Sequence, residues 1–489
     1  MPLKLYNTLS KKVEDFHPII KGEVSLYLCG PTVYDYLHIG NFRGPIVFNM
    51  MRNWMEKIGF KVTFVYNYTD VDDKIINKSI EEGVESSTIA ERYIQIFEED
   101  FSRLGLRPHD HNPRVTEHID DIIEMIQRII KNGSAYLVDG EVFFEVASFH
   151  TYSDLSGRKL DEQRAGQRVE VDPKKRNPAD FVLWKPSKEG EPSWDSPWGV
   201  GRPGWHIECS AMIHSIFGDS IDIHGGGVDL IFPHHTNEIA QAEAACQCKP
   251  FAKYWVHNNF LNYQDVKMSK SLGNIIKARD FMDLYHPEVF VYSMLSAHYR
   301  SLFSMNDERI NDSFCALERI YSAKDLAENL ISLEGNAPPL KDLLHSIERG
   351  KKEIADALND DFNSPKAISS LFEIVRSFNA INFSKKSNKD SAPRSAQIFL
   401  DFLDEIGGIF SLFSRPGNFF LNELDEILLR QRKIKRAEVE ELIEKRIIAR
   451  KDKNWALSDD IRDELTQMGV RLQDGNEKAP WRMAVESSS

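Results

Sequence analysis

The chain has 489 residues, 42% apolar and 28% charged, and its 61 Lys and Arg face 75 Asp and Glu for a formal net charge of −14. That length exceeds what one hydrophobic core supports, and the composition excludes disorder and collagen-like repeats. The acidic balance argues against a general polyanion binder, whose footprint is basic. In chain order, residues 24–28 read as a buried strand ending in the turn Cys29-Gly30-Pro31. Residues 41–58 carry helical apolar spacing, with Gly59 as the C-terminal stop. Residues 61–68 are rich in β-branched and aromatic side chains and read as a second strand. Strand, helix and strand so close together make a βαβ unit of a parallel sheet. Ligands bind such sheets beyond the carboxyl ends of the strands, which places Cys29 and Thr69-Asp70 at a candidate site.

Helical patterns follow over 75–104 and 114–132, and residues 133–205 then turn loop-rich and β-rich, as an insertion splitting the sheet domain would. The α/β texture resumes over 207–246. Beyond Phe303 the pattern is almost wholly helical to 413, with breaks at Pro338-Pro339 and 385–393. A last segment opens near Leu424 with a charged helix and closes in turns around Gly469 and Gly475. The expected fold is α/β: a Rossmann-like parallel-sheet domain split by an insertion, then an all-α bundle, then a small C-terminal domain. The expected boundaries are 1–115, 116–205, 206–260, 261–310, 311–415 and 416–489.

Two loops carry phosphate chemistry. His38-Ile39-Gly40-Asn41 lies between the first strand and its helix. A helix N-terminus offers free N–H groups and a positive dipole end, a His can donate to phosphate oxygens, and Gly40 lets a nucleoside approach the backbone. Alone, the same four residues also fit an ordinary turn with a surface His. Lys267-Met-Ser-Lys270-Ser271, closed by Gly273-Asn274, suits a clamp on a pyrophosphate leaving group, and equally a solvated basic loop. The two together are more specific than either. No Gly-x-x-x-x-Gly-Lys-Ser/Thr string is present, which argues against a P-loop nucleotidase. Gly199-x-Gly201-x-x-Gly204 follows a Pro- and Trp-rich loop and contains Pro203, so it reads as loop geometry.

A third constellation has metal-ligand chemistry. His234 and Glu238 are four apart on a helix that Pro233 would open, Cys29 ends the first strand, and Cys209 sits in Trp205-His206-Ile-Glu-Cys209. Two thiolates, an imidazole and a carboxylate suit tetrahedral zinc, although two buried cysteines and a capping His fit the spacing as well. Cys246-x-Cys248 is a rival ligand source at the far end of the same helix. Five cysteines are too few for a disulfide scaffold. No run of about 18 apolar residues and no secretory apolar region is seen, so a cytoplasmic protein without a membrane span is expected.

The sequence resembles the class I aminoacyl-tRNA synthetases, and within them the cysteine branch. The resemblance rests on the string from Cys29 to Arg43, on Asn67-Tyr-Thr69-Asp70-Val-Asp-Asp-Lys74, on 197–210, on the string from His224 to Glu238, and on Lys267 to Ser271. Asn41 stands where most class I members have a second His and where the cysteine branch commonly has Asn. Long strings match over about residues 3 to 310 and weaker ones continue to the C-terminus.

The resemblance implies one Zn²⁺ held by Cys29, Cys209, His234 and Glu238, which takes the substrate thiol and so separates cysteine from serine. It implies ATP with Mg²⁺ at His38, Gly40, Asn41 and Lys270, with His38, Lys267 and Lys270 acting on the phosphates. It places Thr69, Trp205, His224 and Asp229 around L-cysteine, although Trp205 as core packing and His224 as a structural His also fit. The acceptor it implies is tRNA(Cys), and the chain would act as a monomer. A related ligase with an amino-sugar acceptor is the alternative, and it would lack a basic C-terminal domain. Here residues 430–453 hold ten bases and five acids, a local balance of +5. Arg432, Lys433 and Arg436 in this stripe would contact phosphates, and Trp455 and Trp481 would stack on anticodon bases. Without the catalytic strings, the stripe reads as a solvated helix face.

Overall fold

The computed structural model describes residues 2–158, 172–267, 275–473 and 480–485. The chain divides into two compact units. The first holds residues 1–261, 298–303 and 357–363, and the second holds the rest.

The first unit is built on a four-stranded sheet in the spatial order Ala252–Asn258, Ile221–Gly227, Glu23–Leu28, Lys61–Tyr66. All three pairings are parallel. Its central strands are buried along most of their length, as expected where both faces of a parallel sheet are covered. The strand read over 61–68 ends at Tyr66. The helix read over 41–58 is Arg43–Lys57, because Ile39–Phe42 forms a separate tight turn capped by His38. Arg43 is fully buried and donates to the carbonyls of Asn259 at 2.8 Å and Ser301 at 2.7 Å, which fixes the start of that helix.

Between Lys61–Tyr66 and Ile221–Gly227, the second and third strands of this sheet in chain order, the chain makes the helix Ile119–Lys131 and a four-stranded antiparallel sheet. The sheet runs in sequence order through Ala135–Val138, Glu141–Phe144, Phe181–Pro186 and Gly201–Pro203. Ile119, Ile122, Ile126 and Ile129 recur at helical spacing and are buried. One core runs through this insertion and the parallel sheet, joining Phe144 and Trp184 to Tyr27, Cys209 and Trp255. The glycine-rich string 199–204 lies at and beside the edge strand Gly201–Pro203. A Cβ on Gly204 would stand 2.2 Å from the Val182 carbonyl oxygen, so close strand packing accounts for that glycine.

The second unit is mainly helical. Asp307–Ile331 is capped by Asn306, whose side chain accepts from the Arg309 N–H, and it packs with Ala392–Phe410 and Gly417–Arg432. The charged helix expected from about Leu424 is two helices, Gly417–Arg432 and Arg436–Lys451, broken at Lys433 with φ 58°. With Trp455–Gln467 and the hairpin Val470–Leu472/Trp481–Met483 they enclose a small core of Leu428, Val439, Ile443, Ile461, Leu465 and Trp481. Among the described residues, no helix is long and apolar enough to cross a membrane.

Candidate active site

The strand Glu23–Leu28 has the next strand of the chain on one side and a strand from the far side of the insertion on the other. Such a switch point opens a crevice beyond the strand ends. The chain enters it through Cys29 and Gly30. A Cβ on Gly30 would stand 1.6 Å from the Asn67 carbonyl oxygen, so only glycine passes there. The Gly30 N–H donates to Asn67 Oδ1 at 2.8 Å. On the third strand, a Cβ on Gly226 would meet the His235 ring at 2.7 Å, which explains the small residues after His224.

Cys209 lies in the first turn of the helix Ile207–Phe217. Pro233 does not open a regular helix. Residues Ile231–His235 form a wide turn with a non-helical Phe232, and the helix proper is Thr236–Cys246. His234 and Glu238 nevertheless meet, with Nε2 2.7 Å from Oε1. Cys29 Sγ lies 3.9 Å from Cys209 Sγ and 3.6 Å from Glu238 Oε1. The four donor atoms of Cys29, Cys209, His234 and Glu238 all fall within 4.8 Å of one another, a grouping compatible with a metal site.

Burial opposes charge here, and the pairings override it. Burial would raise the Glu238 carboxyl, but His224 and His234 hold it well below the usual range. Burial would lower His234, but Glu238 and Cys209 push it up to about 10. The hydrogen bond from Cys29 brings Cys209 down to about 6 against its burial, while burial and Cys209 push the Cys29 thiol well up. The pairings therefore favour the ionised Glu238 carboxylate and the Cys209 thiolate, the forms in which both would ligate a metal, and a metal at His234 would displace the ring proton.

Four further histidines hydrogen-bond to these residues or to one another around the cluster. His224 Nε2 lies 2.5 Å from Glu238 Oε2, and His235 Nε2 lies 3.3 Å from Cys29 Sγ. His235 Nδ1 meets His257 Nε2 at 2.8 Å, and His257 Nδ1 meets Thr8 Oγ1 at 2.8 Å. His206 Nδ1 meets His234 Nδ1 at 2.9 Å. Burial holds His206 and His257 down to about 3, so both rings are neutral and serve as hydrogen-bonding links. Cys29, His224, His235 and Glu238 also form a four-donor group within 4.8 Å. The sequence reading did not single out His235, His257 or Thr8. His235 adjoins a chosen ligand, but His257 is a lone polar residue in an apolar strand and gives no such signal.

The four residues expected around an amino acid are placed differently. Trp205 is 42% exposed and stacks on His234 with ring centroids 4.5 Å apart. Asp229 is exposed in the turn after the third strand. Thr69 is buried and donates to Glu208 Oε2 at 3.3 Å. His224 is fully buried behind Glu238 and stacks on Trp255, so it buttresses a carboxylate and presents no surface of its own. Of the phosphate loops, His38 Nδ1 accepts from the Gly40 N–H at 3.1 Å and Asn41 Oδ1 accepts from the His38 N–H at 3.0 Å. The first bond fixes a proton on His38 Nε2. The Lys267 backbone ends the short strand Val266–Lys267, and Lys270 lies outside the described residues.

In the C-terminal module three expectations change. Trp481 is 6% exposed in the small core, so its ring is not presented to a base. Arg436 lies over that ring at 4.8 Å and pairs with Glu426. Arg432 donates to the carbonyls of Gly469 at 3.1 Å and Ala484 at 2.7 Å, tying the hairpin to the helix. Lys433 and Trp455 are exposed. The rival pair Cys246 and Cys248 is joined in a disulfide at the far end of the helix that carries Glu238.

Comparison with known proteins matches three successive stretches of the chain. Residues 15–314 match the profile of the tRNA synthetases class I (C) catalytic domain, 353–414 that of the DALR domain, and 435–482 that of the cysteinyl-tRNA ligase anticodon binding domain. The cysteine–tRNA ligase of Bdellovibrio bacteriovorus is 48% identical over 98% of this chain and 99% of its own length. That of Trichlorobacter lovleyi is 45% identical over 99% of this chain and 100% of its own. Among solved structures, Mycobacterium tuberculosis methionyl-tRNA synthetase in complex with methionyl-adenylate aligns with a TM-score of 0.62 at 14% identity, over 80% of this chain and 92% of that one. That likeness shows a shared fold. Identity of this extent along the whole chain, with all three profiles in order, establishes that the chain belongs to the cysteine–tRNA ligase family of the class I aminoacyl-tRNA synthetases.

Proposed function

We propose that this chain activates L-cysteine with ATP and transfers it to tRNA(Cys), with the cluster of Cys29, Cys209, His234 and Glu238 as a zinc site that selects the substrate. The observation carrying this reading is the convergence of those donors beside the exposed face of Trp205. Two sulfurs, one imidazole and one carboxylate suit zinc by softness and number. When bound, the metal supplies a soft Lewis acid that favours a thiol over a hydroxyl, a discrimination that apolar packing alone makes only about 10–200-fold.

The chain's residues supply the rest. The carboxylate of cysteine attacks the α-phosphorus of ATP, the bond to the β-phosphate oxygen breaks, and pyrophosphate leaves. His38, with its proton held on Nε2, donates to the phosphates, and Gly40 and Asn41 line the nucleotide's approach. Lys267 and Lys270 neutralise the leaving group, and Mg²⁺ enters with ATP. Thr69, Trp205 and Asp229 hold the amino acid, and His224 acts through Glu238. The terminal ribose hydroxyl of the tRNA then attacks the activated carbonyl and AMP leaves. Lys433 and Trp455 are the proposed tRNA contacts of the C-terminal module. An amino-sugar acceptor gains no support, because the chain carries an anticodon-binding module. The reading includes a monomer working in the cytoplasm, where tRNA is charged, and light scattering tests the oligomeric state.

The decisive experiment is cysteine-dependent exchange of pyrophosphate into ATP, run against serine, with and without a zinc chelator. Exchange with cysteine that is lost on chelation supports the reading. Exchange that survives complete removal of zinc rejects the metal's role, and absence of exchange from metal-loaded protein rejects the activity.

A further inference from the structure

The cysteines at the other end of the Glu238 helix have a setting of their own. Cys246 is the last residue of the helix Thr236–Cys246. Gln247 caps it with φ 56°, donating its N–H to the Glu243 carbonyl at 2.9 Å. That left-handed turn folds the chain back, so that the Cys248 N–H points at Cys246 Sγ at 3.1 Å. A carboxylate oxygen of Asp219 and the two sulfurs all lie within 4.8 Å of one another. Asp219 belongs to a different segment, just past Gly218 at the end of the helix Ile207–Phe217.

The Asp219 carboxylate is oriented from behind. Arg128 Nη1 lies 2.9 Å from His214 Nε2, and His214 Nδ1 lies 3.1 Å from Asp219 Oδ1. A guanidinium only donates, so Nε2 must accept. The ring proton therefore sits on Nδ1 and is donated to Asp219. An oriented outer partner of this kind is what holds a ligating carboxylate in place at metal sites. The helix C-terminus adds a negative dipole end beside the sulfurs.

We propose that the reduced pair Cys246 and Cys248, with Asp219, forms a second site for a thiophilic divalent cation, distinct from the cluster around Glu238 and open only when the disulfide is reduced. The opening step consumes a dithiol reductant, which gives two electrons and two protons and becomes a disulfide itself. The S–S bond breaks and two thiols form. On binding, each thiol releases its proton to solvent, two sulfur bonds and one oxygen bond to the cation form, and water completes the tetrahedron. While the sulfurs are bonded to each other they offer no thiolate, so the oxidised form is closed.

The test uses the full chain with its first site loaded with zinc. Reduced and disulfide-oxidised protein are titrated with Cd²⁺ under nitrogen, following thiolate-to-cadmium charge-transfer absorption. Reduced protein should take up one more cadmium than the Cys246→Ser/Cys248→Ser double variant, and oxidised protein should match that variant. Asp219→Asn should weaken the extra site by at least about tenfold. Cysteine-dependent pyrophosphate exchange, unchanged in the variants, certifies that they are folded. Equal uptake by reduced protein and the double variant overturns the proposal. So does equal uptake by the reduced and oxidised forms, or an Asp219→Asn variant that binds as tightly as the parent.

Discussion

The cluster around Glu238 and the C-terminal module both gather charged and aromatic side chains, and they do so in opposite directions. Around Glu238, five histidines, two thiols and a carboxylate converge in the interior, and Trp205 presents the open face. In the module the same chemical types hold the fold together. Arg482 pairs with buried Asp425 at 2.8 Å, Arg432 clamps the hairpin, and Arg436 covers Trp481. Burying polar groups costs free energy unless each is paired, so a convergence larger than packing requires points to chemistry. A basic, aromatic sequence near a chain end points equally to a clamp or to a binding face, and only exposure separates the two.

Four measurements test this contrast. The largest effect is expected in the cluster. If the four donors hold zinc as proposed, Cys209→Ser should abolish tight zinc binding and lower cysteine activation by more than the roughly 10–100-fold that loss of a ligand's hydrogen-bond partner costs, read as metal content and exchange rate. Unchanged metal content would remove Cys209 from the site. Next, Trp481→Ala or Arg482→Ala should destabilise the module by about 3–5 kcal/mol, read as thermal unfolding, while adenylate formation persists. Unchanged stability would erase the distinction between clamp and face. Smaller again, Trp455→Ala and Lys433→Ala should raise the KM for tRNA at unchanged Tm, with lost stacking at Trp455 worth about 1–3 kcal/mol. A fall in Tm would place these two among the clamps.

The fourth measurement is pH dependence, and it concerns one buried histidine in each unit. His109 is packed against Phe64, Tyr66 and Phe101, and burial holds it down to about 3. Burial likewise lowers His286 to about 4 despite Glu423. Both are neutral in the native state, whereas the unfolded chain protonates them below about pH 6.5. The unfolded state thus binds more protons, and stability falls as pH drops from about 6.5 toward the native values. Each group contributes up to about 1.4 kcal/mol per pH unit, or roughly 2 kcal/mol between pH 6.5 and 5. Denaturant unfolding at pH 5 and 7 should show this loss, and His109→Phe should remove the first unit's share.

What the sequence discloses follows from locality. The first βαβ unit is legible because its periodicities change over short windows and Gly59 marks the stop. The four cluster residues are legible because Cys, His and Glu are chemically distinctive, although the strand pairing that unites Cys29 with residues about 200 positions away leaves no local trace. The relay from His235 through His257 to Thr8 is illegible, since it depends on the register of Ala252–Asn258 beside the third strand. Trp481 misleads for the opposite reason. Beside Arg482 it looks solvent-facing, and its burial is decided by three helices that close over it.

The order of strands in the parallel sheet also sets a timetable for synthesis. Glu23–Leu28 needs Ile221–Gly227 on one side. A ribosome adding about 5–20 residues per second delivers that neighbour some 10–40 s after the first strand has emerged. For that interval the nascent chain displays an apolar strand with one unpaired edge, a template for wrong partners that a chaperone has reason to cover. Cys29 waits equally long, a solitary thiol on an unfinished chain, until translation supplies the three residues that it will face.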